Sequence, residues 1–127
     1  MVNGDRPKKI DERTLEFALL IIDLYRHLTQ NMKEYVMSKQ VLRSGTSVGA
    51  NTHEAQAAQS KKDFISKMAI ASKEIRETDY WLRLLDRAAF LQEFQGRDII
   101  LKESTELIKI LSKIVKTAQK QNGKSSG

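Results

Sequence analysis

The stretch SKKDFISKMAIASKEIRETDYWLRLLDRAA, residues 60–89, decides the fold of this 127-residue chain. Side chains suited to burial recur along it at alternating intervals of four and three residues: Phe64, Met68, Ala71, Ile75, Thr78, Leu82, Leu85 and Ala89. That spacing places them on one face, so it predicts a long amphipathic helix packed along its length. Ser60 and Asp63 resemble a capping box and predict where the helix begins.

Three further segments have helical periodicity. They run from about Asp11 to Gln30, from Ser38 to Gln59 and from Arg97 to Gln119. The single proline, Pro7, precedes all of them, so no proline interrupts a helix. Four helices joined by short connections predict an all-α fold, an antiparallel up-down-up-down four-helix bundle.

The predicted bundle forms one domain over residues 11–120. Residues 1–10 are expected to be a flexible N-terminus, and residues 121–127, which end in GKSSG, a disordered tail. A hydrophobic fraction of 40% with 30% charged residues is typical of a soluble globular or helical-bundle protein and not of a disordered one.

The composition excludes several kinds of site. There are no cysteines, which excludes disulfides, thiolate metal ligands and cysteine nucleophiles. No apolar run is long enough to cross a bilayer, and the N-terminus has no apolar signal core, so we expect a cytoplasmic protein without a membrane partner. The net charge of +6 and the isoelectric point near 9.6 permit a polyanionic partner.

The second helical segment has few charges and many small residues. Its charged residues are Lys39, Arg43 and Glu54. Gly45 and Gly49 each cost about 1 kcal/mol relative to alanine inside a helix, and close backbone approach would offset that cost. We therefore expect this helix to pack against its own bundle on one side and a neighbouring subunit on the other. A small-residue face inside a monomer, or a break near these glycines, is the alternative.

Arg43 and Glu54 lie three turns apart, roughly 16 Å along a helix, so they cannot pair with each other. If they are buried, each needs another partner, and Glu74, Arg76 and Glu77 on the third helix are the candidates. The residues expected at a subunit interface or as buried polar groups are Arg43, Ser47, Gly49, Ala50, Asn51, Glu54, Glu74, Glu77 and Trp81.

The same region resembles a known family, the four-helix bundle proteins called 23S rRNA intervening sequence proteins. The resemblance extends over about residues 15–115 and rests on LRSGTSVGAN at 42–51, Glu54-Ala55, SKKDF at 60–64, EIRET at 74–78 and Tyr80-Trp81-Leu82. It implies homopentamers of antiparallel bundles, with Arg43, Asn51, Glu54 and Glu74 at characteristic polar positions. The similar accessory proteins of diversity-generating retroelements bind nucleic acid and a reverse transcriptase through basic surface. The family offers no catalytic residue to carry over.

Catalytic motifs known on helical bundles are missing. Di-iron bundles need Glu-x-x-His, and neither His27 nor His53 follows a glutamate by three residues. HEPN-class ribonucleases need a histidine four to six residues after an arginine, whereas nine residues separate Arg43 from His53. The segment Gly45–Gly49 matches neither a phosphate-binding loop nor a nucleophile elbow. We expect no catalytic residues, no metal site, no cofactor and no enzymatic activity.

Lysines carry the remaining functional signal. One group lies opposite the apolar stripe of the fourth helix: Lys102, Lys109, Lys113, Lys116 and Lys120. A second group, Lys61, Lys62 and Lys67, begins the third helix. The alternative interpretation is a solvated face. Few aromatic residues accompany the lysines, so base stacking and sequence readout are not expected. Tyr80 and Trp81 are interpreted as packing residues, with Trp81 at a subunit interface.

The sequence therefore predicts a non-enzymatic, homo-oligomeric bundle protein that binds the phosphate backbone of RNA or DNA without strong sequence preference. Repetition of the lysines around a ring would strengthen weak phosphate contacts through avidity. The alternative function is a structural scaffold or adaptor ring that recruits a protein partner.

Overall fold

A computed structural model describes residues 8–126, and helices form most of that range. Helix α1 spans Ile10–Arg26 and continues as a π-helical turn over His27–Asn31. The other helices are α2 (Met37–Ala55), α3 (Lys61–Arg87) and α4 (Arg97–Ser126). No strand occurs within residues 8–126, so the predicted all-α fold with four helices is confirmed.

The helix boundaries differ from the prediction mainly at two ends. Helix α2 stops at Ala55, four residues before the expected Gln59. Helix α4 continues to Ser126, so most of the tail expected to be disordered, residues 121–127, is helical, and only Gly127 lies outside the described residues. Lys120 and Gln121 are good helix formers and continue α4 past its apolar stripe, whereas the following residues include Asn, Gly and Ser, so intrinsic propensity does not explain the last turn. Of the expected flexible N-terminus, residues 1–7 lie outside the described residues.

Helix α3 lies at the centre of the packing. It packs against α2 and α4, while α1 packs mainly against α2. The six middle residues of its predicted seam are buried: Met68, Ala71, Ile75, Thr78, Leu82 and Leu85. Of the two end residues, Phe64 is half-buried, and Ala89 is exposed with a φ of 68° just past the end of the helix. The predicted cap is present, since Asp63 N donates to Ser60 Oγ at 3.0 Å.

Buried threonine and serine side chains form hydrogen-bonded pairs where the helices pack against each other. Thr14 Oγ1 lies 2.8 Å from Thr52 Oγ1, which joins α1 to α2. Thr78 Oγ1 donates to Ser44 Oγ at 2.8 Å, which joins α3 to α2. Both pairs are buried, and a slip of either helix would separate the paired oxygen atoms, so the pairs favour one register of the core.

Gly45 and Gly49 allow α1 to approach α2 closely within the chain. A Cβ at Gly45 would lie 2.7 Å from Ile21 Cγ1, and one at Gly49 would lie 3.2 Å from the Thr14 carbonyl oxygen. The close approach that the sequence predicted for these glycines is therefore made by α1 of the same chain.

We expect Gly45→Ala to lower the free energy of unfolding by about 1–2 kcal/mol. Three atoms of the buried Ile21 would lie within 3.0 Å of the added Cβ, so we expect an overpacking cost of about 2–3 kcal/mol, which exceeds the gain of about 1 kcal/mol in helix propensity. Chemical denaturation measures the difference. Gly123→Ala is the control, because a Cβ there meets nothing within 4 Å and stability should not fall. A Gly45→Ala protein as stable as the wild type would contradict this account of the α1–α2 contact.

Candidate functional site

Arg43 lies at the centre of a polar cluster between α2 and α3. Its Nη1 donates to Glu74 Oε2 at 3.2 Å, and its Nη2 donates to Glu77 Oε2. Trp81 Nε1 donates to the same Glu77 oxygen at 3.2 Å. Glu74 and Glu77 are thus the partners that the sequence suggested, both within the chain. The expectation of a buried charge does not hold in the single chain, because the Arg43 side chain is 52% exposed.

The cluster keeps both partners charged. The hydrogen bond from Arg43, followed by that from Trp81, lowers the pKa of Glu77 below its ordinary value of 4.5. The hydrogen bond to Glu77 in turn raises the pKa of Arg43. Glu77 is therefore ionised at any pH near neutrality, which holds α2 against α3 through a charge-assisted contact.

The other polar residues expected at an interface have local partners. Glu54 is exposed and pairs with Lys67 Nζ at 3.0 Å, a partner that the sequence did not suggest. Asn51 Nδ2 donates to Ser47 O at 2.9 Å and to Ser47 Oγ at 3.1 Å, one turn back. Because Lys67 is paired, the lysine cluster predicted at the start of α3 retains only Lys61 and Lys62 as exposed, unpaired cations among the described residues.

An apolar cleft of about 420 Å³ lies between α1 and α2. Ala50, which is exposed, and Leu15, which is 64% exposed, line it, and the 56% exposed Leu19 lies one turn further along α1. Large aliphatic side chains this exposed are suited to burial against another protein surface.

Arginines of α3 and lysines of α4 form a second charged surface. Arg76 Nη2 donates to Ser112 Oγ at 3.0 Å, and Arg83 Nη2 donates to Thr105 Oγ1 at 3.0 Å. These two α4 hydroxyls alternate with three exposed lysines along one stripe of the helix. We call the five cations the basic ridge; they are Arg76, Arg83, Lys102, Lys109 and Lys116.

Only part of the ridge charge is neutralised. Arg83 Nε donates to Asp79 at 3.1 Å, and Lys109 lies 3.6 Å from Glu106. Arg76 bonds to the neutral Ser112, and no carboxylate in the described part of the chain lies within ion-pair distance of it. The sequence prediction named the three lysines but missed the contribution of Arg76 and Arg83. Their spacing of seven residues on α3 was the available signal.

The remaining predicted lysines lie beside or beyond the ridge. Lys113 and Lys120 are exposed on α4, and Lys113 also borders a cleft between α3 and α4 that Phe64 and Ile114 line. Lys61 and Lys62 are exposed in the first turn of α3, at the opposite end of that helix from Arg83.

The aromatic pair on α3 differs from the prediction. Tyr80 was interpreted as a packing residue, but it is 60% exposed in the chain. Trp81 is half-buried and packs against the core, and its ring centroid lies 5.3 Å from that of Tyr80 in a T-shaped arrangement. Position 80 falls on the outer face of α3, whereas position 81 falls beside α2.

The two histidines lie in different environments. His27 is buried and its Nε2 lies 3.0 Å from Phe90 O, so it anchors the connection between α3 and α4. His53 is exposed. Within residues 8–126, no group of three or more acidic or histidine side chains is arranged to hold a metal ion. None of the helices in that range is long and apolar enough to cross a membrane.

We expect Glu77→Gln to remove part of the acid sensitivity of the protein. Because the folded-state pKa of Glu77 is lowered, its stabilisation is present above the ordinary value of 4.5 and is lost as the pH falls through the lower folded value. Urea denaturation at pH 7 and pH 3 should show a smaller loss of stability on acidification in the variant. Glu12→Gln, at an exposed glutamate without an ion pair among residues 8–126, is the control. An equal loss in the variant and the wild type would count against the Arg43–Glu77 contact.

A solved structure is similar to this chain in both fold and sequence. A crystal structure of a protein of unknown function from the S23 ribosomal protein family of Bacteroides thetaiotaomicron is 49% identical, with a TM-score of 0.80. The match covers 85% of this chain and 99% of that one. No curated protein matches the sequence. The sequence model of the 23S rRNA-intervening sequence proteins matches residues 8–113. The chain therefore belongs to the 23S rRNA-intervening sequence protein family.

Proposed function

We propose that this protein is a non-enzymatic homo-oligomer that binds the phosphate backbone of RNA or DNA through the basic ridge. The observation that carries the proposal is the pairing of Arg76 and Arg83 with hydroxyl groups of α4. These bonds hold two guanidinium groups beside the row of Lys102, Lys109 and Lys116, so arginines and lysines together form one surface. Guanidinium groups bind phosphate oxygens strongly, and within the described part of the chain no carboxylate pairs with Arg76 and competes for it.

The spacing of the ridge suits a nucleic-acid strand. The three lysines and the two bonded hydroxyls follow each other on α4 at intervals of three or four residues, which is about 5 Å along the helix axis. The whole row extends over about 21 Å, since Lys116 lies fourteen residues after Lys102 and the helix rises about 1.5 Å per residue. Successive phosphates of one strand can therefore each approach a cation, and backbone contacts of this kind carry no base preference.

We expect the double variant Lys102→Glu/Lys116→Glu to bind a 20-nucleotide RNA or DNA at least ten-fold more weakly at about 100 mM salt. Each lost phosphate contact should also reduce the slope of log K against log salt by about 0.7–0.9. Fluorescence anisotropy over a salt series measures both quantities.

The matched control for this experiment is Lys9→Glu/Lys39→Glu. These lysines are exposed, unpaired within residues 8–126 and distant from the ridge in sequence, and the variant has the same net charge as the test variant. The control should weaken binding only slightly and leave the slope unchanged. A wild-type affinity that does not depend on salt, or equal losses in the two variants, would overturn the proposal.

Oligomerisation, in antiparallel bundles and with five subunits as the family resemblance implies, is the second half of the proposal. The apolar cleft between α1 and α2 supports it, because the exposed Leu15 lines the cleft together with the small side chain of Ala50, and the exposed Leu19 lies one turn further along α1. A cyclic oligomer would repeat the ridge around its axis, so several weak phosphate contacts would act together.

We expect Ala50→Trp to reduce the mass in solution, because the indole would fill the cleft that a neighbouring subunit needs. Ala50 is a sharper test than Gly49, whose substitution would also disturb the α1–α2 contact within the chain. Multi-angle light scattering should give several times the chain mass of 14.5 kDa for the wild type and a lower value or aggregation for the variant. The exposed Ala88, at the end of α3, provides the control Ala88→Trp. An unchanged mass for Ala50→Trp would place any interface elsewhere.

The same cleft favours a second candidate function, an adaptor that recruits a protein partner. The two functions are distinguished by Leu19→Glu in a pull-down after nuclease treatment. Loss of one dominant protein at unchanged mass favours the adaptor, whereas loss of mass favours the subunit interface.

A further inference from the structure

Tyr80 is an exposed aromatic side chain among arginines. It lies on the outer face of α3 four residues after Arg76, three before Arg83 and seven before Arg87, so these side chains share that face. With Arg83, Leu84 and Arg87 it lines a shallow depression of about 230 Å³. Arg76 and Arg83 belong to the basic ridge, so Tyr80 borders the surface proposed to hold phosphate.

The Tyr80 ring is supported by its neighbour. Trp81 packs against it at an interplanar angle of 71°, with 5.3 Å between ring centroids. The indole is itself fixed by its hydrogen bond to Glu77, which Arg43 also holds. A ring supported in this way loses less conformational freedom on binding than a free side chain. The solvent-exposed part of the Tyr80 ring is therefore held in a fixed orientation in which a ligand can contact it.

The surrounding charges indicate what makes that contact. Arg87 forms no hydrogen bond or ion pair within residues 8–126, and Lys73, one turn before Glu77, is also exposed. Arg83 and Arg87 line the depression beside the Tyr80 ring, so they favour a ligand that carries negative charge. A ligand with a flat aromatic surface and an attached anion satisfies both the ring and the arginines.

We propose that Tyr80 stacks on an unpaired base of single-stranded nucleic acid while the phosphates of that strand lie on the basic ridge. The inference rests on the proposed nucleic-acid binding and adds the class of ligand. A paired base within a duplex does not offer its face to a protein side chain, whereas a single strand does. Stacking on tyrosine tolerates every base, so the contact confers a preference for single strands without reading their sequence.

The test compares three probes of equal length: a single-stranded 20-nucleotide DNA or RNA, the same backbone without bases, and a duplex. The variant is Tyr80→Ala and the control is Tyr80→Phe, which keeps the ring and removes the hydroxyl. We expect Tyr80→Ala to weaken binding of the single strand about ten-fold, the scale of one lost base stack, and to leave the other two probes unchanged. Tyr80→Phe should bind all three as the wild type does.

A second readout uses Trp81, the single tryptophan of the chain. Because its ring contacts that of Tyr80, a base stacked on Tyr80 should change the Trp81 emission, and the base-free backbone should not. The slope of affinity against salt should be the same for Tyr80→Ala and the wild type, because the substitution removes no phosphate contact.

The outcomes separate the two proposals. Salt-dependent binding that is equal for the single strand and the base-free backbone, or that Tyr80→Ala leaves intact, overturns the stacking proposal and retains the ridge. A lower oligomeric mass for Tyr80→Ala assigns Tyr80 to a subunit interface and also overturns it. No binding of any probe overturns both.

Discussion

The packing of α3 between α2 and α4 is the constraint from which both charged surfaces follow. Its buried stripe occupies one face, so the remaining residues lie on two flanks, one beside each neighbouring helix, and on an outer face exposed to solvent. Glu74 and Glu77 fall on the flank beside α2 and hold Arg43. Arg76 and Arg83 fall on the flank beside α4 and reach its hydroxyl groups. One run of sequence, EIRET at residues 74–78, thus supplies an acidic contact on one side and a basic surface on the other.

Close packing and small polar groups make this arrangement specific. Gly45 and Gly49 allow α1 to approach α2, and the Thr14–Thr52 pair would be broken by a shift along that contact. The α1–α4 side is held differently, by a two-pronged ion pair in which Arg13 Nε and Nη2 donate to Glu103 at 2.7 and 2.9 Å. Arg97 forms the same kind of two-bond ion pair at the α3–α4 connection, where its Nε and Nη2 donate to the two carboxylate oxygens of Asp86. Because each contact demands its own geometry, the helices have few alternative registers.

The sequence predicted what depends on periodicity and missed what depends on the direction of individual side chains. The α3 seam from Met68 to Leu85 follows from spacing alone, and Glu74 and Glu77 were recognisable as partners for Arg43 because the charges needed one. The sequence also suggested Arg76, which lies between these two glutamates in the chain, as a partner for a charge on α2, but Arg76 contacts α4 instead. A rotation of 200° separates Arg76 from Thr78 on the helix, and the side on which α4 would pack was not encoded in the pattern. The exposure of Tyr80 was hidden for the same reason.

The π-helical turn over His27–Asn31 is a place where the length of the chain can differ by one residue between relatives. In it Met32 N donates to His27 O at 3.1 Å, so the turn contains one residue more than an α-helical turn. It lies after Leu24 and before Met37, between the part of α1 that packs on α2 and the start of α2. A relative can lose one residue here, closing the turn to ordinary helix, and keep the upstream core positions of α1 in place. A single-residue gap at the end of α1 in an alignment of relatives would therefore leave the spacing of Phe17, Ile21 and Leu24 unchanged, and would shift only the buried His27 and Leu28 within the turn.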